Sequence, residues 1–324
     1  MFRNVPATRP AHRPLLLWRT VKTPTLITRS LTAALLAGAV LAVATPAQAA
    51  PTPPRTTVKV ASFNVDSAWR QKVDPSVPRW EARVQGIARV INTAKPDVIG
   101  VQEAPDINID GRLYRQADDI RRQTSYTIYQ PADPAAKLNP ILFRGGLFEQ
   151  VSAGYKVFEQ RSYPNYGKAM TWVKLKSKQT GQTFLVANTH FQVGADKQSD
   201  RDREGVMLAN EIKRISGGVP VFVTGDFNAS TSTTAPQTKN LAAIGLTDTY
   251  KLAPAKIHPE YKTYNGYQAP AIGGSRIDQV YAGAPAAKDL KVSFWENWTA
   301  YGDQVIGGRQ PSDHNMIYAV ASFR

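Results

Sequence analysis

The sequence predicts a sheet-rich α/β or α+β core, on three observations. Short β-branched runs recur along the chain, and several are apolar at every position, as in strands buried on both faces. Two stretches between them carry apolar residues at helical spacing. Beyond the first fifty-odd residues there is no linker or internal repeat to divide the chain, so strands and helices share one core.

The N-terminus is set apart from that core. Arg3, Arg9, Arg13, Arg19, Lys22 and Arg29 form a basic region with no acidic residue, followed by an apolar run from Leu31 to Ala44 and the small-x-small signal Ala47-Gln48-Ala49. That order predicts a secretory signal peptide over residues 1–49, cleaved near Ala49. About 14 apolar residues fall short of the roughly 20 that span a bilayer, and there is no cysteine for a lipid anchor, so export without a stable membrane anchor is expected. Residues 50–57 read as a flexible Pro/Thr-rich lead-in, and 58–324 as one domain.

Val58 to Val65 reads as the first strand. Trp80, Val84, Ile87, Ala88 and Ile91 then mark one face of a helix ended by Lys95-Pro96, and Asp97 to Gln102 is a second strand. Strands are expected at 126–130, 140–144, 169–175, 183–189, 219–224, 277–282 and 316–323. A helix is expected from about Asp202 to Ser216 with Val206, Ala209, Ile212 and Ile215 on one side, and 104–125 and 229–240 read as polar loops.

Zero cysteines exclude thiol catalysis, Cys-ligated zinc and iron–sulfur chemistry. About 275 residues after the leader bury enough apolar surface to fold without disulfides. Six of the 40 Lys and Arg lie in the leader, which leaves 34 against 25 Asp and Glu, a formal net charge of +9. That balance suits a polyanionic substrate such as nucleic acid or an anionic lipid.

Chemistry collects at the strand ends. Asn64 follows KVASF, Glu103 follows DVIGVQ, Asn188 and His190 follow TFLVA, and Asp226 and Asn228 follow VPVFVTG. Asp278 lies in SRIDQVY, and Asp313-His314 precede the last strand. Rigid sheet ends can hold such groups with the precision catalysis needs. Taken singly, each has a plainer reading: Gly-Asp as a turn, Glu103 as a solvated strand end, Asn188 as a turn cap, Asp278 as a partner of Arg276. His258 stands without a partner motif, as a surface-loop histidine. Carboxylates, amides and imidazoles without thiols suit Mg²⁺, Mn²⁺ or Ca²⁺ better than zinc.

Together VASFNV, VIGVQEA, VANTHF, VTGDFNAS, SRIDQVYA and PSDHNM, in that order, resemble the motif blocks of the endonuclease/exonuclease/phosphatase family over about residues 58–323. The resemblance implies a four-layered α/β sandwich, two mixed sheets face to face with helices outside. It implies Glu103 as principal metal ligand, helped by Asn64 directly or through water, with Asp313 completing the metal region. It further implies that Asp226 polarises the attacking water and that Asn228 bonds a phosphoryl oxygen or that water. His314, oriented by Asp278, would contact the phosphate or act as base, and His190 would donate to the phosphate or leaving group. Asn188 and Lys168 are placed as substrate contacts; Arg203 either contacts phosphate or is a charge on an exposed first helical turn. Tyr264, Asn265 and Tyr267 either line the substrate groove or cap the core.

The reaction expected from this set is metal-dependent hydrolysis of a phosphate ester by an exported monomer. An endonuclease acting on DNA is the leading reading. Alternatives are a sphingomyelinase-like diesterase acting on a lipid head group, a phosphatase of small phosphate esters such as nucleotides or inositol phosphates, and an inactive binding module. No long apolar loop run favours the lipid reading, and the complete motif set disfavours the inactive one.

Overall fold

Period-2 alternation of apolar residues along the strands builds two mixed sheets that face each other. The structure is a computed structural model and describes residues 54–159, 167–283 and 289–324. The expected leader and the first part of the lead-in lie outside the described residues. Strands and helices are numbered here along the chain.

The first sheet has the order β12 (Ala255–Ile257), β14 (Lys291–Trp298), β15 (Met316–Phe323), β1 (Thr56–Asn64), β2 (Val98–Gln102), β6 (Ile141–Phe143), β5 (Thr127–Tyr129). The second has the order β11 (Thr247–Asp248), β13 (Asp278–Gly283), β10 (Val221–Asp226), β9 (Thr183–His190), β8 (Lys168–Ser177), β7 (Phe148–Glu159). A separate hairpin joins β3 (Asp106–Ile109) to β4 (Arg112–Arg115). The longer helices are α2 (Trp80–Ala94), α3 (Gln116–Thr124), α5 (Gln198–Ser216) and α6 (Pro236–Ala242); α1 (Arg70–Val73), α4 (Pro134–Lys137) and α7 (Thr249–Leu252) are single turns.

Three apolar clusters divide the molecule into four layers. Val58, Val60, Val98 and Ile317 of the first sheet meet Phe184, Val186, Phe222 and Val280 of the second between the sheets. Each such side chain contributes about 1.5–3 kcal/mol by leaving water. Phe63, Ile99 and Val101 turn the other way onto Trp80, Ile87 and Ile91 of α2 and Ile120 of α3. Leu185, Val221 and Val223 turn outward onto Leu208, Ile212 and Ile215 of α5 and Leu241 of α6. This is the α/β/β/α sandwich that the motif resemblance implies.

The expected strands and the first helix are found within a few residues of their expected limits. Three readings are corrected. The helix expected from Asp202 starts at Gln198, and Val206 is exposed, because the buried stripe of α5 runs through Leu208, Ile212 and Ile215. The supposed polar loop 104–125 contains the β3–β4 hairpin and α3, whose Ile107, Ile109 and Ile120 reach the core under a polar surface. In the other polar loop, α6 begins at Pro236. Outside those loops four strands were not anticipated: β7, exposed or half-exposed along nearly its whole length, β14, whose sequence mixes charges with aromatics, and the short β11 and β12. Among the described residues, no helix is long and apolar enough to cross a membrane.

Candidate active site

The inward-facing positions of the central strands change character along their length. On β1 the inner residues run Val58, Val60, Ser62, Asn64; on β9, Phe184, Val186, Asn188, His190; on β10, Phe222, Thr224, Asp226. β1 and β2 are parallel with Asn64 opposite Gln102, and β9 and β10 are parallel with His190 opposite Asp226. β13 is antiparallel to β10, so its first residue, Asp278, lies opposite Asp226. β15 is antiparallel to β1, which brings Asp313 and His314, just ahead of it, to the same edge. One edge of the sandwich thus gathers every motif.

Beneath that edge lies a buried polar layer. Gln102 Nε2 donates to Ser62 Oγ (3.1 Å) and Asn188 Oδ1 (2.6 Å), and Asn188 Nδ2 donates to the carbonyls of Val101 (2.7 Å) and Pro140 (3.1 Å). Thr224 Oγ1 donates to Asn188 Oδ1 at 3.1 Å. Asn188 is therefore not the substrate contact expected. It is fully buried and its amide is consumed in tying one sheet to the other. The layer is tight enough that a Cβ on Gly100 would lie 1.9 Å from Thr224 Oγ1, so only glycine fits there.

Above it, two imidazoles flank Asp226. His314 Nδ1 and Asp278 Oδ2 are 2.8 Å apart, which leaves His314 Nε2 directed to Asp226 Oδ2 at 3.7 Å. Burial works to lower the His314 pKa, but Asp278 and Asp226 outweigh it and hold the ring well above the usual histidine range. Burial, then the nearby Asp278 carboxylate, pushes Asp226 up to about 7. On the other side His190 Nε2 lies 3.6 Å from Asp226 Oδ2. Burial, with Lys168 adding to it, pulls His190 down to about 3.

Asn228 fixes the neutral ring's tautomer. Its Nδ2 faces both the Phe191 carbonyl (3.0 Å) and His190 Nε2 (3.0 Å), so Nε2 accepts and the proton of His190 sits on Nδ1. Asn228 was expected to bond a phosphoryl oxygen or the attacking water; here its amide nitrogen is engaged by His190 Nε2 and the Phe191 carbonyl. Environments that drive two neighbouring groups of one type to opposite protonation states are a signature of acid–base sites.

A second group of side chains is anionic. Glu103 Oε1 accepts from Asn64 Nδ2 at 3.0 Å, and the same nitrogen reaches Asp226 Oδ2 at 3.1 Å. Asn64 Oδ1 accepts the Asp66 backbone N–H at 3.0 Å. The fully buried Asn64, expected to help Glu103 hold the metal directly or through water, is hydrogen-bonded to both Glu103 and Asp226. Burial works to raise Glu103, but His190, the Asn64 amide, His314 and Lys168 together hold it below the usual carboxylate range. Burial, then Asp313 and Glu103, pushes Asp66 up to about 7, and burial also raises Asp313.

Asp66 is the site residue that sequence reasoning missed. It stands two residues beyond Asn64, just outside the strand motif, and that proximity was the available signal. Four of the eight non-glycine residues with left-handed φ among the described residues are here: Asp66, Glu103, Asn228 and Tyr267. Such strain gathers where surrounding structure overrules local preference, commonly at functional sites.

Asp66, Asp313 and Glu103 lie near enough for Asp313 and Glu103 to raise Asp66 and for Glu103 to raise Asp313, and an all-oxygen donor set of this kind suits a hard divalent ion. Asp226, Asp278 and His314 also lie close, with donor atoms within 4.8 Å of one another. In that triangle His314 Nδ1 is bonded to Asp278, so its donors are one imidazole nitrogen and two carboxylates, a less oxygen-rich set than Glu103, Asp66 and Asp313.

Lys168, at the start of β8, lies near enough to affect both Glu103 and His190 electrostatically. Arg203 does not reach the site: it is exposed on α5 and pairs with Asp200. The buried Arg201, two positions earlier, donates instead to the carbonyls of Gln192 (3.0 Å) and Gly194 (2.7 Å) in the loop after β9. Tyr264 sets its ring edgewise on His314 with centroids 5.2 Å apart. Arg276 pairs with Asp248, so Asp278 is left to His314. His258 is half-buried and stacks on Tyr261.

Comparison with known proteins follows the geometry. The model of the Endonuclease/Exonuclease/phosphatase family matches residues 61–314. Among solved structures, a family protein from Bacteroides thetaiotaomicron superposes with TM-score 0.68 and 21% identity, covering 84% of this chain and 99% of that one. The mannosyl-6-phosphatase Bt3783 of Bacteroides thetaiotaomicron VPI-5482 gives 0.65 and 21%, covering 81% and 98%. D. rerio TDP2 complexed with single strand DNA product gives 0.61 and 16%, covering 82% and 99%. At these identities the likeness is one of fold. No curated protein matches the sequence.

Proposed function

The chain belongs to the endonuclease/exonuclease/phosphatase family, and on that premise we propose that it is a metal-dependent phosphodiesterase that cleaves DNA internally. The observation that carries the hydrolytic reading is Asp226 set between a charged His314 and a neutral His190, beside an oxygen-rich group of carboxylates.

Glu103, Asp66 and Asp313 would hold the cation, with Mg²⁺ the first choice for an oxygen donor set; when bound, it supplies positive charge to the non-bridging and leaving oxygens of the phosphate. The chain's own groups do the rest. Asp226, raised to about 7, takes a proton from the attacking water and keeps that water aligned. His314 places Nε2–H toward the phosphoryl oxygens, with Asp278 holding its tautomer. His190, oriented by Asn228, offers Nδ1–H on the Glu103 side, and Lys168 adds cationic charge.

DNA is favoured by the net charge of +9 after the leader, and by a structural relative, TDP2, seen with single-stranded DNA. The mannosyl-6-phosphatase, at similar TM-score, favours a second reading, a phosphatase of small phosphate esters. Hydrolysis by the chain from Ala50 onward separates them. Plasmid DNA, sugar and inositol phosphates, and sphingomyelin are each incubated with Mg²⁺ and with EDTA. Cation-dependent nicking of plasmid is expected; intact plasmid beside released inorganic phosphate would overturn the nuclease reading. We further propose export with cleavage near Ala49, checked by N-terminal sequencing of the protein from culture medium.

A further inference from the structure

Asp66 is held in an unusual way. Its backbone is left-handed (φ 51°) and buried, and its carboxylate Oδ2 accepts the Tyr267 hydroxyl at 2.6 Å. Tyr267 is itself buried and left-handed (φ 65°), a conformation that a bulky residue adopts only when its surroundings impose it. Three contacts impose it. The Tyr267 N–H donates to Asn265 Oδ1 (2.7 Å), the Gln310 N–H donates to the Tyr267 carbonyl (3.3 Å), and Asn265 Nδ2 is anchored on Asn315 Oδ1 (2.8 Å). The same turn delivers the Asn265 and Gly266 N–H groups to the carbonyl of Asp313, at 2.7 and 3.0 Å. One turn therefore grips both Asp66 and Asp313.

The opposite side is closed by Arg83 of α2. Its guanidinium is fully buried between the Trp80 ring (5.2 Å) and the Tyr267 ring (5.6 Å), and it donates to the carbonyls of Val65, Asp66 and Ser67. The backbone of Asp66 is fixed by Arg83 and its side chain by Tyr267. Left alone, a buried carboxylate beside two others would turn away from them. A single hydroxyl bonded to one of its oxygens opposes that rotation and leaves the other oxygen for a ligand.

We propose that Tyr267, braced by Arg83, is a positioning residue that fixes Asp66 in the carboxylate group and thereby sets the affinity of the site for a divalent cation. The inference rests on the reading of Glu103, Asp66 and Asp313 as the cation site. Tyr267 touches neither cation nor phosphate in this assignment; it acts through Asp66.

The test is binding of Mn²⁺ alone, by calorimetry and by electron paramagnetic resonance, to the purified protein and its variants, with circular dichroism and Tm measured without cation. Tyr267→Phe keeps the ring on Arg83 and removes only the hydroxyl, so it is expected to stay folded and bind Mn²⁺ about 10-fold more weakly, as loss of a ligand's supporting partner does. In an Asp66→Asn background the same change is expected to weaken binding no further. Tyr267→Phe with wild-type Mn²⁺ affinity, or with a lowered Tm alone, would overturn the brace, as would equal weakening in the Asp66→Asn background. Glu103→Gln separates the premise from the inference: if it binds Mn²⁺ as wild type, the cation site itself is misplaced; if it loses Mn²⁺ while Tyr267→Phe does not, only the brace fails.

Discussion

At one end of the sandwich the inward residues of β1, β9, β10 and β13 are Val58, Val60, Phe184, Val186, Phe222 and Val280; at the other end of the same strands they are Asn64, His190, Asp226 and Asp278. The alternation is continuous, so both ends are set by one pleat and one register. The apolar end gains free energy from every side chain it buries. The polar end loses it, since it desolvates five carboxyl groups and two imidazoles whose mutual placement serves a reaction. The first end holds the sheets at a fixed spacing, and the second uses that spacing to keep Asp226 within 3.7 Å of two rings. Substitutions at the two ends are therefore expected to separate into activity without stability and stability without activity.

The largest effect belongs to the polar end. His314→Ala is expected to lower kcat/KM by about 10²- to 10⁴-fold, the usual worth of a positioned acid–base group. Its urea midpoint should fall less than that of a core mutant, because the Asp278 carboxyl left without the ring can take up a proton in place of its buried charge. Steady-state hydrolysis of whichever phosphate ester proves to be the substrate, alongside urea unfolding, checks both halves. A His314→Ala protein that unfolds as readily as a core mutant would mean that the site is part of the frame.

The apolar end should give the reverse. Phe222 packs edge-on against Phe184 with centroids 6.0 Å apart, and against Phe323 at 6.1 Å, and it is fully buried. Phe222→Ala is expected to cost about 3–5 kcal/mol in unfolding free energy. The folded fraction should keep kcat within a few-fold of wild type, measured well below the unfolding midpoint. A loss of kcat comparable to that of His314→Ala would show that the cavity is felt at the far edge, and the two ends would not be separable.

The buried polar layer between the ends gives an intermediate case. Asn188→Ala removes one acceptor each of Gln102 and Thr224 and a donor to two carbonyls, all of them buried. About 1–3 kcal/mol of stability is expected to be lost, with a several-fold fall in activity as the sheets lose their register near the site. Denaturant midpoints and rates on the same preparations decide it. If Asn188 instead contacted substrate, KM would rise with stability unchanged.

This division also explains what could be read from sequence. Strands buried on both faces, such as β2 and β10, announce themselves as apolar runs, and the polar residues that end them are conspicuous for that reason. Asn64, Glu103, His190, Asp226, Asp278 and His314 were all legible as a cluster in this way. What pattern could not supply was the use of each amide. Asn188 and Asn228 sit in strand-end motifs like the others, yet their side chains are spent inside the protein, and only the three-dimensional partners reveal that. Asp66 was hidden by its position outside the strand, and Tyr267 by sequence distance, since it meets Asp66 from 201 residues away. Arg201 and Arg203 differ by two places on one helix, and the turn of α5 alone decides which faces the loop after β9. β7 escaped because, half exposed, its sequence lacks an apolar stripe.

The smallest effect expected is one of sign. Glu204, on α5, is buried behind the site, where one carboxylate oxygen accepts the Gln192 N–H at 2.9 Å and the other has no partner. Burial pushes its pKa up to about 7. In the unfolded chain the carboxyl loses its proton near 4.5. Between those values the folded protein keeps a proton that the unfolded chain has released, so stability falls as pH rises through the window. Below it both states are protonated and the group adds no pH dependence. Glu204→Gln keeps an acceptor for Gln192 and carries no charge, so it should remove that slope. Relative to wild type it is expected to gain about 1–3 kcal/mol on going from pH 4.5 to pH 8, measured by urea unfolding at several pH values. No substitution at the apolar end can behave so, because nothing there titrates. A Glu204→Gln protein that unfolds in parallel with wild type at every pH would mean that Glu204 is solvated and ionised.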